Sequence, residues 1–200
     1  MKRIYLLAYI TILCCLCPLL KAQLGPMPFT PVPPNDPSLV RLLNSDVRCR
    51  QWVDSVMQRL TLKERIGQLF IYTIAPQQDK ANKELLRKVV EDYKVGGLLF
   101  SGGLMQNQVM LTNEAQRMAE VPLMITFDGE WGLAMRLKGT PRFPRNRVLG
   151  CIQDNELLYE YGKEVARQCK EIGVQINFAP VADVDINPRN PVINTRSFGG

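Results

Sequence analysis

Short apolar runs of strand length, each reached through a helix, constrain the fold of this 200-residue chain more than any other feature. The runs are Leu69-Phe70-Ile71-Tyr72, Leu98-Leu99-Phe100 and Leu123-Met124-Ile125-Thr126-Phe127, with Gln175-Ile176-Asn177-Phe178-Ala179 as the last. A strand buried on both faces loses the alternation of a half-wet strand, and such strands belong to parallel sheets. The segments between them have helical spacing. Val47, Trp52, Val53, Val56 and Leu60 recur within 45–60, and Leu85, Leu86, Val89, Val90 and Tyr93 within 79–93. A less regular pattern covers 106–119, and Leu157, Leu158, Tyr161, Val165, Cys169 and Ile172 follow Asp154. Thr61 and Glu64 read as a capping box opening a short helix that ends near Gly67, Asp154 as a cap, and Gly173 as a stop.

This alternation implies a parallel sheet covered on both faces by helices. Two architectures share it: the open doubly wound sheet and the closed eight-stranded barrel. No G-x-G-x-x-G follows any of the runs, so nothing supports a dinucleotide site. Polar residues gather instead just past strand ends, at Ser101-Gly102-Gly103, at Asp128-Gly129-Glu130 and across Asp183 to Arg196. A barrel keeps its active site on that face. The expected fold class is therefore α/β, the N-terminal part of a (β/α)8 TIM-type barrel, truncated after about four strands of the eight that a barrel needs.

Ahead of this body, Lys2 and Arg3 precede an apolar run from Ile4 to Leu20, and Ala22 follows. That is the pattern of a signal peptide over residues 1–22, which implies an exported protein, periplasmic or secreted. A membrane partner is expected only if the leader stays uncleaved or is lipidated at Cys14, Cys15 or Cys17. Residues 23–37 hold six prolines and read as an extended entry arm, leaving 38–200 for the barrel domain.

Composition removes several chemistries. The excess of 25 Lys and Arg over 19 Asp and Glu is halved when Lys2, Arg3 and Lys21 leave with the leader, and the remainder forms no stripe. A nucleic-acid partner is not expected. Beyond the leader, Cys49, Cys151 and Cys169 are an odd number with no metal-ligand spacing, and the chain has no histidine. This excludes a histidine triad, a histidine general base and a histidine-bound zinc within these residues. No metal or cofactor is expected.

Few side chains remain to carry chemistry. Asp128 and Glu130 stand two apart at the end of the run 123–127, and paired carboxylates suggest glycoside hydrolysis. Asp-Gly is also a common turn pair, so Asp128 as a simple turn cap stays open. Trp131 suits a sugar-stacking platform or a core position. Arg136 and Arg196 offer planar forks of donors for hydroxyl or carboxylate oxygens, or are solvated surface residues. Asp183-x-Asp185 fits loop hydrogen bonding better than a metal site, because no third ligand lies at useful spacing.

Four motifs in order resemble one family. Leu60-Thr61-Leu62-Lys63-Glu64-Arg65-Ile66-Gly67-Gln68-Leu69, Val95-Gly96-Gly97-Leu98-Leu99-Phe100, Ile125-Thr126-Phe127-Asp128-Gly129-Glu130-Trp131-Gly132, and Asn177-Phe178-Ala179-Pro180-Val181-Ala182-Asp183-Val184 followed by Arg196-Ser197-Phe198-Gly199 look like the N-terminal barrel domain of glycoside hydrolase family 3. The Asp-x-Glu form without a histidine resembles its β-N-acetylhexosaminidase branch, although Trp131 replaces the first of two glycines common there. The resemblance implies that Asp128, Arg136 and Arg196 contact the substrate, and it leaves Glu130 and Trp131 for loop shaping or stacking. It further implies a retaining mechanism with an Asp nucleophile on a later strand and a His acid/base on a loop, so no catalytic residue is expected among these 200. The expected activity is an exported retaining exo-glycosidase acting on terminal β-linked N-acetylhexosamine, with that carbohydrate as partner. A β-glucosidase of the same family and a non-catalytic sugar-binding relative are the alternatives.

Overall fold

The structure, a computed structural model, describes residues 47–187 and 189–199. The expected leader and proline-rich arm lie outside the described residues. The chain divides after Gln51 into two compact units, and every described strand belongs to the second, Trp52–Gly200.

Local chemistry starts most helices where the sequence places them. Helix α1 covers Val47–Arg59. In the Thr61 capping box, the Glu64 amide donates to Thr61 Oγ1 at 3.3 Å and the Thr61 amide donates to the Glu64 carboxylate at 2.8 Å, opening α2, Leu62–Gly67. Strand β1 is Ile71–Ile74, two residues later than the expected run. Its register explains the shift: Ile71 is the residue opposite Gly97, while the Leu69 and Phe70 amides donate to Ile66 and Gly67 carbonyls and complete the turn that leaves α2. Leu69 and Phe70 are accordingly 83% and 60% exposed.

Asp79 caps α3, Lys80–Arg87, which runs on into one wider π turn, Lys88–Asp92. Strands β2, Gly97–Phe100, and β3, Gly103–Leu104, lead to α4, Met105–Met118. After β4, Met124–Phe127, come β5, Leu137–Lys138, and a four-residue helix α5, Asn146–Leu149, neither of which has a sequence period of its own. Helix α6, Asn155–Glu171, begins on the Asp154 side chain. Gly173, at φ +77°, lets the chain turn after it into β6, Ile176–Asn177.

All pairings in the main sheet are parallel, in the order β1-β2-β4-β6, and β3 pairs with β5 in a separate two-stranded ladder. The order follows the chain without reversal. A doubly wound sheet reverses its strand order at a switch point, whereas a (β/α)8 barrel adds each strand beside the last, so this is an arc of the barrel type.

Ile74, Leu98, Phe100, Ile125 and Phe127 share one face of the sheet and pack against Leu86 and Val89 from α3 and its π turn, Leu111 and Ala115 from α4, and Val165 and Cys169 from α6. Burying each large side chain there contributes roughly 1.5–3 kcal/mol. On the opposite face Ile71, Met124 and Ile176 are exposed. The helices of this core therefore cover one face and not both. In a barrel the inner face is filled by the other strands, which is why its strands are apolar on both sides without helices on both sides.

Candidate functional site

Strand β4 carries the chain through the core, and Asp128 is the first residue beyond Phe127, at the carboxyl end where a barrel opens. The loop after it is held by its backbone. Asn177, at the end of β6, accepts from the Gly129 amide at 2.9 Å and donates back to the Gly129 carbonyl at 3.3 Å. Gly132 has φ +81°, and a Cβ there would lie 2.7 Å from the Phe143 ring, so the turn requires glycine. A 3-10 turn, Leu133–Met135, then buries Leu133 and returns the chain over Asp128. Arg136 arrives there with its carbonyl accepting from the Gly103 amide at 3.0 Å, beside the β3–β5 ladder.

Two ion pairs result. The Arg136 guanidinium donates to the Asp128 carboxylate, and both side chains stay about one-third exposed, at 38% and 30%. Glu130 is turned the other way: its carboxylate is 2% exposed and takes the fork of Arg196. Arg196 Nε lies 3.0 Å from both carboxylate oxygens, and Nη2 lies 2.6 Å from Oε1. A buried carboxylate must be paired or pushed towards neutrality, and this fork pairs it. The Glu130 hydrogen bond, with the charges of Glu130, Asp128 and Asp183 adding to it, holds the Arg196 guanidinium above its ordinary pKa against the opposing effect of desolvation. The four expected polar residues thus form two ion pairs in the loops beyond β4 and β6, Asp128 with Arg136 and Glu130 with Arg196.

Trp131 has a cation on its ring, with the Arg145 guanidinium carbon 5.0 Å from the centroid. Asp185 is bonded to Arg147, while Asp183 is exposed and its backbone carbonyl accepts from Ser197 Oγ at 2.7 Å. Among the described residues no three His, Cys, Asp or Glu side chains gather as a metal site would need. The thiols of Cys49, Cys151 and Cys169 are free, and burial pushes that of Cys169 up.

Several residues of this region carry no sequence signal. Arg145, Asn146 and Arg147 belong to no pattern, yet each grips the segment that bears Arg196. Tyr161 reads only as an apolar member of α6, yet its hydroxyl donates to the Glu130 carbonyl at 3.2 Å. Asn177 interrupts a strand-length run and opens one of the four family motifs, but neither signal says that it bonds Gly129. An apolar groove of about 300 Å³ lies between α6 and the chain after β6, lined by Leu158, Tyr161, Val165, Pro180 and Phe198. It reaches Gly129 and Glu130 but not Asp128, Arg136 or Arg196.

The model of the glycosyl hydrolase family 3 N terminal domain matches residues 61–200. The chain belongs to this family. A family relative, the beta-N-acetylglucosaminidase/beta-glucosidase of Cellulomonas fimi, is 27% identical over 151 residues, covering 74% of this chain and 26% of that protein. The structure of beta-glucoside phosphorylase BglX bound to 2FGlc superposes with a TM-score of 0.71 at 21% identity, over 78% of this chain and 28% of that one. It shows the fold alone. NagZ from Neisseria gonorrhoeae, in complex with N-trifluoroacetyl-D-glucosamine, gives a TM-score of 0.53 at 26% identity, over 64% of this chain and 41% of that one. The chain spans 21% to 36% of the length of the first curated family relatives it matches.

Proposed function

We propose that the full-length protein is a retaining exo-glycosidase of family 3 that removes terminal β-linked N-acetylhexosamine, and that this chain supplies one wall of its sugar site. The observation carrying this reading is the pairing of Asp128 with Arg136, at the carboxyl end of a parallel strand, and of Glu130 in the same loop with Arg196. A pyranose presents hydroxyls that both donate and accept. The partly exposed Asp128 carboxylate keeps lone pairs free beside Arg136 to accept from them, and the outer edges of the two guanidinium groups donate. Such an arrangement binds and orients the sugar. The nucleophilic Asp and the His acid/base that the family resemblance implies come from outside these residues, which include no histidine. Residues 38–200 are assigned to the barrel on the same reading.

For the substrate, the Asp-x-Glu form favours an N-acetylated sugar, and the name of the Neisseria ligand supports it. Side-by-side assay of an aryl β-N-acetylglucosaminide and the matching β-glucoside tests this, with a higher kcat/KM expected for the first. A pocket built to bond an acetamido group leaves polar groups unpaired when only a hydroxyl arrives, a loss of about several kcal/mol. Trp131 in place of a glycine and the double name of the Cellulomonas relative favour a second reading, a β-glucosidase, which a preference for the glucoside would establish. Turnover of neither by a folded protein would leave a sugar-binding relative. Export belongs to the first reading, supported by Lys2, Arg3 and the run from Ile4 to Leu20. N-terminal sequencing of the exported product is expected to begin near Gln23, and an intact Met1 on a cytoplasmic product would refute it.

A further inference from the structure

We propose that Glu130 and Asn146 are positioning residues that hold Arg196 as a pre-set donor, Glu130 gripping its guanidinium and Asn146 its backbone. The inference rests on the sugar-binding reading above and adds to it a device that fixes one of its donors. An unrestrained Arg side chain must give up rotamer freedom each time it meets a ligand. Arg196 has already given it up. Glu130 takes Nε–H and one Nη2–H, while the nearest acceptor to Nη1 is the Val192 carbonyl at 3.4 Å, a long contact. The outer edge of the fork thus keeps hydrogens to donate, and the side chain as a whole is 35% exposed.

The backbone is held as tightly. Three consecutive side chains at the start of α5 reach three consecutive residues: Arg147 donates to the Asn194 carbonyl at 3.3 Å, Arg145 to Thr195 Oγ1 at 2.8 Å, and Asn146 to the Arg196 carbonyl at 2.7 Å. Asn146 is fully buried, and Arg147 is anchored in turn on Asp185. Stability alone is a weak reason for the Glu130–Arg196 pair, since desolvating a charge offsets much of the attraction and apolar residues often replace a buried ion pair without loss. What the pair supplies is geometry, from a loop that also carries Asp128.

A double-mutant cycle in the full-length protein tests this, with N-acetylglucosamine as ligand, affinity by calorimetry and a thermal melt on every variant. Glu130→Gln is expected to weaken binding about tenfold, Arg196→Lys at least as much, and the double variant no more than Arg196→Lys alone, because coupled residues are non-additive. Asn146→Ala, run through the same cycle, is expected to show the same non-additivity and carries the test if Glu130→Gln does not fold. Glu130→Gln costing the same factor in the Arg196→Lys background would mean that Glu130 acts on the sugar or the loop directly and would overturn the positioning role. Full affinity in Glu130→Gln would also overturn it. Full affinity in Arg196→Lys would instead remove Arg196 from the sugar site and so refute the reading beneath.

Discussion

Asp128 and Glu130 are two carboxylates in one loop with opposite environments. Gly129 between them is pinned through both backbone polar groups by Asn177, so the side chains on either side are committed to different directions. Asp128 faces solvent beside Arg136, and Glu130 is buried against Arg196. Removing Asp128 takes away acceptors for sugar hydroxyls and leaves Arg136 without its partner. Asp128→Ala in the full-length protein is expected to lower kcat/KM at least about a hundredfold, roughly 2.7 kcal/mol of transition-state binding. Unchanged kinetics in a folded variant would mean that Asp128 only caps its turn. The position of Asp128 was legible because it depends on one local fact, an apolar strand ending at Phe127. The direction of Glu130 was not, because its partner is 66 residues away.

At the level of single elements, local rules work where the chemistry is local. The caps at Thr61, Asp79 and Asp154 each bond an amide two or three residues on. Helix α6 adds a ladder on its exposed face, where Arg167 bonds Glu164 on one side and Glu171 on the other. Hydrogen bonds from Arg167 and then Gln168 hold the Glu164 carboxyl down to about 2. A carboxyl lowered on folding contributes stability above its unfolded pKa, about 4.3, and loses it as pH falls through the folded value. The melting temperature is therefore expected to drop between pH 5 and pH 2, and Glu164→Gln to flatten part of that slope. The effect is small because the pair is exposed to solvent and salt. An identical slope in the variant would show that the ladder contributes nothing. Elements without a local cause were not legible. The start of β1 depends on its neighbour, with Ile71 opposite Gly97. Helix α5 has four residues and persists because it is packed, with the Gly150 Cα so close to Phe198 that a Cβ would fall 1.9 Å from the Phe198 carbonyl oxygen.

The sheet has consequences for the molecule as a whole. Among the described residues β1 and β6 each pair on one side only, and one face of the sheet exposes Ile71, Met124 and Ile176. Unpaired edges beside exposed apolar side chains are a template for association. Residues 23–200 expressed alone are expected to self-associate with rising concentration in sedimentation velocity or to lack a cooperative melt. A monodisperse monomer with a cooperative transition would contradict this. In a closed barrel the same edges are paired and the same face is filled, so the association is expected to be absent from the full-length protein.

Helix starts, the strand–helix rhythm and the place of Asp128 were readable from residue order, because each depends on neighbours within about four positions or on the pattern of burial along one element. A polar residue ending an apolar strand says where chemistry can sit. It does not say what the residue will touch. The unreversed order of the strands, the covering of one face by helices, the Glu130–Arg196 fork and the grip of Arg145, Asn146 and Arg147 on residues 194–196 all join segments 47 to 66 positions apart or elements with several others between them. No local pattern encodes such meetings. They arise when packing of the apolar face brings the loops beyond β4 and β6 together, and burial then favours pairing of the polar groups that meet there.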